Sequence, residues 1–283
     1  MQDFDGKTAV ITGAGSGIGR GMAEYAAASG MNVVVADVQP DALDETVALV
    51  RDTGAEVMGV LTDVTDPAAV ENLAAAAYDR FDAVHLLHNN AGVFQGGISW
   101  QRTLADWEWV MKVNFWGVLH GIQAFVPRML AQEEQGDGDI HIVNTSSVAG
   151  ITTVAYSGPY VVSKFACAAL TESVAHDLRA QGSSIGVSCL VPGAVDTRIA
   201  QSERNRPDEP PGEAQAPDHW FVAGALGQMT AERGLPPIEA ARIVFDGIRN
   251  GDFWICTTDA YEEIMQPRFD AMLARQLPPG AQY

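Results

Sequence analysis

The chain has 283 residues, 47% of them hydrophobic, which is enough to bury a full core and excludes general disorder. Its formal net charge of -19, from 36 acidic against 17 basic residues, repels phosphate backbones and anionic bilayers and so disfavours nucleic-acid and membrane partners. No apolar run approaches the roughly 20 residues of a membrane span, the stretch Met1 to Thr8 lacks a signal-like apolar core, and Cys167, Cys189 and Cys256 stand isolated, so a soluble chain of the reducing cytoplasm with no metal site is expected.

Short β-branched runs alternate with longer helical stretches from the start. Thr8 to Ile11 reads as a buried strand, followed by glycines and a helix over Arg20 to Ala28. Strand Asn32 to Ala36, helix Asp41 to Asp52 and strand Glu56 to Leu61 come next. Asp66 before Pro67 is a cap followed by proline at the first helical position, and it opens a helix that leads to strand Ala83 to Leu87. A long helix is expected over Leu104 to Gln132 with an irregularity at Pro127. Strand Ile140 to Asn144, helix Gly158 to Ala180 and strand Ile185 to Leu190 complete the alternation. Apolar strands between helices indicate a doubly wound parallel sheet covered on both faces, a three-layer α/β fold of Rossmann type, with residues 1–283 as a single domain.

Thr197 to Leu235 breaks the pattern. It holds Pro207, Pro210, Pro211 and Pro217, the charged run Glu203-Arg204-Asn205-Arg206, and then Trp220, Phe221, Leu226 and Met229. So long a segment without clear periodicity is expected to be a substrate lid. Helix Pro237 to Asn250, a short strand Phe253 to Cys256 and a tail over 257–283 follow.

Between the first strand and first helix stands Thr12-Gly13-Ala14-Gly15-Ser16-Gly17-Ile18-Gly19. Glycines let the backbone turn sharply and approach a pyrophosphate, whose charge is stabilised at the helix N-terminus. Ile18 occupies the last glycine position of the strict G-x-G-x-x-G, so Gly13, Gly17 and Gly19 form G-x-x-x-G-x-G instead. Asp37 ends the second strand, where a carboxylate accepts bonds from the adenosine ribose hydroxyls. A 2′-phosphate there would face repulsion of about 4 kcal/mol per like charge at 4 Å and an effective dielectric near 20. No arginine stands at Ser16 or directly after Asp37 to offset it, so NAD is expected over NADP.

Tyr160 and Lys164 lie four apart and share one helix face. A phenol, with an ordinary pKa of about 10, is a poor base at neutral pH unless a nearby cation stabilises its anion. The chain has only three lysines, Lys7, Lys112 and Lys164, which makes the pairing less casual. With Asn89-Asn90-Ala91-Gly92, Asn114, Ser147 and Pro192-Gly193-x-x-x-Thr197, the glycine turn and this pair resemble the short-chain dehydrogenase/reductase family, in its order and over roughly residues 5–256.

That resemblance implies Tyr160 as general acid/base, Lys164 as its activator and a ligand of the nicotinamide ribose, and Ser147 as a donor to the substrate oxygen. Ser147 rather than Ser146 stands thirteen residues before Tyr160, as the family's pattern requires. Asn114 would anchor a water relay from Lys164. The cofactor side would comprise Gly13, Gly15, Ser16, Gly17, Ile18, Gly19, Asp37 and Val38, with Asp63 and Val64 at the adenine. Asn90, Ala91 and Gly92 would support the pocket, and Pro192, Gly193, Val195 and Thr197 would flank the carboxamide. Relatives usually assemble as homotetramers or dimers through the helices carrying Asn114 and Tyr160.

The pocket walls are expected in Val93 to Ser99, Val148 to Ser157, Gly193-Ala194 and the lid, with Phe94, Ile151, Val154, Tyr156, Trp220, Phe221 and Met229 giving an apolar surface without an evident arginine clamp for a carboxylate or phosphate. A hydrophobic secondary alcohol or ketone, aromatic or alicyclic, is the expected substrate. The alternatives are a 3-oxoacyl thioester reductase, against which Asp37 and the acidity argue, and a non-catalytic NAD sensor on the same fold.

Overall fold

The computed structural model describes residues 1–207 and 217–280. Seven strands, β1 (Thr8–Thr12), β2 (Asn32–Asp37), β3 (Val57–Leu61), β4 (Leu86–Asn89), β5 (His141–Thr145), β6 (Gly186–Val191) and β7 (Trp254–Cys256), form one sheet in the order β3-β2-β1-β4-β5-β6-β7. Every neighbouring pair is parallel. The chain winds outward from β1 in one direction and restarts at β4 in the other. The carboxyl ends of β1 and β4 therefore open into a crevice between connections that leave in opposite senses.

Alternation along the strands divides the core. Ala9, Ile11, Val33 and Val35 point to one face, where α1 (Gly17–Ala28), α2 (Pro40–Asp52) and α8 (Pro237–Asn250) contribute Met22, Leu43, Phe245 and Ile248. Val10, Val34, Leu87 and Ile142 point to the other, against Leu73 of α3 (Pro67–Phe81), Phe125 of α5 (Gly117–Glu134) and Leu178 of α6 (Gly158–Ala180). Both faces are dry, which is why the strands read as continuous apolar runs.

Local chemistry explains the boundaries. Asp66 accepts from the Ala68 amide to cap α3, and Pro67 occupies its first turn. α8 starts on a proline and stops at Gly251, whose φ of 73° is the left-handed conformation a glycine end-cap adopts. The single long helix expected over Leu104 to Gln132 divides instead into α4 (Leu104–Met111), a π-helical turn (Lys112–Trp116) and α5. Its irregularity falls at Asn114, and α5 runs on through Pro127. Asn114 accepts from the Val93 amide at 2.8 Å and donates to the Val93 carbonyl and Ser163 Oγ, each at 2.9 Å, which pins the turn to the neighbouring loop and to α6.

The lid departs further from expectation. Part of it, 208–216, lies outside the described residues, including Pro210 and Pro211. The rest is a short 3₁₀ stretch, Ile199–Asn205, and a helix α7 (Pro217–Arg233) that tucks His219, Val222, Ala223 and Thr230 inward. The tail carries a further helix, α9 (Tyr261–Leu273), which the sequence pattern did not disclose because none of its residues is buried. Among the described residues no helix is long and apolar enough to cross a membrane.

Candidate active site

The crevice at the β1/β4 switch is a cleft of about 810 Å³. Its floor is the glycine turn, shaped by how little space the backbone leaves. A Cβ on Gly13 would stand 2.7 Å from Ala91 Cα, and one on Gly19 would stand 2.3 Å from the Gly13 carbonyl oxygen. Thr12 Oγ1 accepts the amides of Asn90 and Ala91 at 3.0 and 3.2 Å, while Asn90 Nδ2 returns bonds to the Thr12 and Gly13 carbonyls. Ser16 caps α1 without a side-chain bond, so the first-turn amides beside Ser16, Gly17 and Ile18 stay available where these residues line the cleft. Gly15 and Gly19 lie behind this wall and shape it from outside.

At the far end Asp37 Oδ2 accepts the Gly15 amide at 2.8 Å and Oδ1 the Gln39 amide at 2.9 Å. These bonds hold the carboxylate beside Val38 in the cleft wall and leave further lone pairs for a ligand hydroxyl. Arg20, missed by the sequence reading, braces the arrangement. Its Nη2 donates to the Gly15 carbonyl at 2.6 Å and its Nε to Thr46 Oγ1 at 3.0 Å. Asp63 and Val64 line the same end, with Asp63 Oδ1 accepting the Thr65 amide and the Val64 carbonyl held by His120.

Tyr160 and Lys164 face the cleft from the first two turns of α6, which Pro159 starts. Lys164 Nζ is 5.7 Å from the Tyr160 ring centroid and donates to the Thr145 carbonyl at 2.9 Å. Its side chain is almost wholly buried, so its charge acts through little water. Phe94 meets the Tyr160 ring edge-on at 5.1 Å and fixes its tilt. Gly92 separates Lys164 from Asn114, because a Cβ there would lie 3.4 Å from both Nζ and Asn114 Oδ1. Asn114 itself is fully buried behind the wall with its amide spent on Val93 and Ser163.

The two serines differ sharply. Ser146 Oγ donates to the Lys164 carbonyl at 2.9 Å, so its proton is committed to α6. Ser147 Oγ accepts the Ala149 amide at 3.1 Å, which occupies a lone pair and not its proton. Opposite lie Pro192, Gly193, Val195 and Thr197, with the Gly193 amide bonded to Thr257 Oγ1 at 3.0 Å and Val195 bridged to Leu235. The Thr197 methyl sits so close to Gly17 that a Cβ there would be 2.9 Å away.

Beneath the site β4 and β5 carry polar side chains. His88 is bonded through Nε2 to Thr145 Oγ1 at 2.8 Å, and Thr145 Oγ1 donates to Asn90 Oδ1 at 3.3 Å. That orders the His88 proton on Nε2. Burial drives the His88 pKa down to about 3, so the ring is neutral. Burial likewise raises the Cys167 and Cys189 thiols, leaving both protonated beside the lysine.

The mouth corrects two expectations. Trp220 and Phe221 are 55% and 73% exposed and stand outside the cleft, as do Tyr156 and Ile151. The apolar wall keeps Phe94, Val154 and Met229 and adds Leu226 and, from α9, Ile264. Arginines are also present, since Arg198, Arg204 and Arg206 of the lid reach the cleft. Arg206 is neutralised by Asp106 at 2.7 Å and stacks over Trp109 at 5.2 Å. The charged run Glu203 to Arg206 was the signal for Arg204 and Arg206, but no sequence spacing tells that it folds inward.

The model of the short chain dehydrogenase family matches residues 7–208. A short chain dehydrogenase/reductase from Burkholderia phymatum, solved in complex with NAD, superposes with a TM-score of 0.95 at 43% identity and 100% coverage of both chains. A C alpha-dehydrogenase of a Sphingobium species is 32% identical over 278 residues, 96% of this chain and 87% of its own. The 1-deoxy-11-beta-hydroxypentalenate dehydrogenase of Streptomyces exfoliatus is 39% identical over 197 residues, 69% of this chain and 70% of its own.

Proposed function

Because the chain belongs to the short chain dehydrogenase family of oxidoreductases, we propose that it moves a hydride between NAD and the carbinol or carbonyl carbon of a hydrophobic secondary alcohol or ketone. The observation that carries this reading is that Tyr160 and Lys164 open into the same cleft as the glycine turn and Asp37. The turn fits a dinucleotide, since its close backbone contacts and uncapped α1 terminus leave a cradle for a diphosphate. NAD is supported by Asp37 and by the NAD held in the Burkholderia relative.

When bound, the nicotinamide supplies the hydride acceptor or donor. In alcohol oxidation, Tyr160 takes the proton of the substrate hydroxyl, and in reduction it gives one back. Lys164, locked by the Thr145 carbonyl, stabilises negative charge on the phenol oxygen by Coulomb attraction. Ser147 donates to the substrate oxygen and sets its distance from Tyr160. Asn114 holds the Val93 loop and, through Ser163, the turn of α6 that carries Lys164. Phe94, Val154, Leu226, Met229 and Ile264 exclude water and favour an apolar, bulky substrate. The dehydrogenase names of the Sphingobium and Streptomyces relatives are consistent with a hydroxyl-bearing substrate.

The test follows nicotinamide absorbance over aliphatic, alicyclic and aromatic alcohols with NAD and NADP. Tyr160→Phe should lose roughly a thousandfold or more in turnover, while NAD affinity by calorimetry stays unchanged. Turnover that survives in Tyr160→Phe, or wild-type rates with NADP equal to those with NAD, would refute the reading. We also propose one domain and a homo-oligomer formed through the helices around Asn114 and Tyr160, where Trp116 and Val162 are each 46% exposed. Light scattering tests the assembly. The free thiols Cys167, Cys189 and Cys256 fit a cytoplasmic location.

A further inference from the structure

The lid crosses the cleft mouth as a strap with four fixed points. Thr197 rests on Gly17, the Ser202 hydroxyl accepts the Phe94 amide at 2.9 Å, and the Arg204 carbonyl accepts from Gln39 Nε2 at 3.5 Å. Arg206 closes the far side on Asp106. The strap thus runs from above the glycine turn, past the Asp37 end, to α4. Two of its side chains, Arg198 and Arg204, line the cleft without an ion-pair partner within 4.0 Å among the described residues.

Their placement is electrostatically unusual for a chain of net charge -19. Arg204 Nη1 donates to the carbonyls of Arg198 at 2.8 Å and Gln201 at 2.9 Å, which tethers one edge of the guanidinium to the strap. Its pKa is lowered, first by burial and then by the charge of Arg198, with Asp37 acting in the opposite sense. Thr197 rests on Gly17 and the Arg204 guanidinium is bonded to the carbonyl of the next residue, Arg198, so two like charges line the cleft beside the glycine turn that begins α1.

We infer that Arg198 and Arg204 bind the diphosphate of the dinucleotide from the lid side, facing Ser16, Gly17 and Ile18. The inference rests on the dinucleotide reading above and adds the roof to its cradle. It makes the strap part of the cofactor site: a bound diphosphate relieves the repulsion between the two arginines and holds the strap down.

The experiment is calorimetric, on the full chain, with ADP-ribose, NAD, NADP and adenosine as probes. Arg198→Gln and Arg204→Gln should each weaken ADP-ribose and NAD by about tenfold, and the double variant should lower the salt dependence of binding. Adenosine, which lacks phosphate, should bind all variants as it binds wild type. Arg198→Lys should recover part of the loss. Arg204 also tethers the strap, so Arg198→Gln, whose side chain holds no such tether, decides the case if Arg204→Gln misfolds. ADP-ribose affinity unchanged in Arg198→Gln overturns the inference and leaves the dinucleotide reading standing. An equal loss for adenosine, or a loss confined to NADP, also overturns it, the latter by reassigning the arginines to a 2′-phosphate. Wild type that binds neither ADP-ribose nor NAD would fail the dinucleotide reading itself.

Discussion

Two histidines built into the sheet should make this protein acid-labile well above the range where carboxylates titrate. His88 on β4 and His141 on β5 are both almost fully buried, and burial lowers each pKa to about 3. For His141 the N-terminal ammonium adds to the lowering and Asp139 opposes it. Each ring bonds a hydroxyl through Nε2, His88 to Thr145 and His141 to Ser188, both at 2.8 Å. Both hydroxyls donate their own proton elsewhere, to Asn90 and to the Asp252 carbonyl, so both rings donate from Nε2, and burial keeps them neutral. Protonation would place a second N–H at Nδ1, and at His88 that atom has no partner.

The unfolded chain binds these protons at about pH 6.5, and the folded chain does so only near pH 3. The folded pKa is depressed, so the contribution is fully present above pH 6.5 and is lost as pH falls through the window towards pH 3. At pH 5 each histidine should cost about 2 kcal/mol relative to pH 8, or roughly 4 kcal/mol together, a large part of a typical folding free energy. Urea unfolding at pH 8, 6 and 5 measures this directly. His88→Val should cost about 1 kcal/mol at pH 8 for the lost bond to Thr145, yet lose about 2 kcal/mol less than wild type on acidification. If wild type and His88→Val decline in parallel between pH 8 and pH 5, the argument from burial is wrong.

Three further outcomes test the site. Gly13→Ala, at φ +63° and with its Cβ 2.7 Å from Ala91, should weaken NAD binding by more than about tenfold; Gly54→Ala, at φ +88° with nothing within 4 Å, should cost about 1 kcal/mol of stability and leave binding intact. Asp37→Ala should reduce NAD affinity by roughly tenfold and raise the NADP to NAD ratio of kcat/KM, read in paired initial-rate assays. Asp218→Ala leaves the Arg102 guanidinium, whose side chain is 1% exposed, without its 3.1 Å partner, and should destabilise the fold by about 3 kcal/mol in urea titrations while ADP-ribose affinity in folded protein changes little.

Where the sequence was legible, a local signal agreed with the packing. α6 and α8 span the residues their prolines and periodicity indicated, and the α3 cap is made by the expected Asp66. The apolar content of the fourth strand ends at Leu87, which places the strand too early. It continues to Asn89, since His88 and Asn89 find buried partners in Thr145 and Asn144 across the β4–β5 register. Polar residues are ordinary in a central strand once a neighbouring strand satisfies them, and a single-sequence pattern contains no record of that neighbour. The same holds for Asn114: proline is a local breaker, yet the helix is remodelled by an asparagine whose partners, Val93 and Ser163, lie far away in sequence.

The lid shows why its chemistry was harder to read than its existence. Helix α7 leaves Trp220 and Phe221 in solvent and buries His219 and Thr230, so its residue types run against the pattern that reveals an amphipathic helix. Much of what fixes the lid is long-range and electrostatic. Asp218 accepts the Ile98 amide at 2.7 Å, which lowers its pKa together with the charge of Arg102, and Arg206 meets a buried Asp106. These bonds join α4 and the loop before it to the middle of the lid at Arg206 and Asp218, so ion pairs act beside the buried Val222 and Ala223 in positioning the wall of the substrate pocket. Such pairs lose strength when one member is removed far more than when both are replaced. A cycle pairing Asp106→Leu with Arg206→Met should therefore show the double variant retaining more stability and a tighter substrate KM than either single variant, and strictly additive losses would mean that the lid is held by its apolar contacts alone.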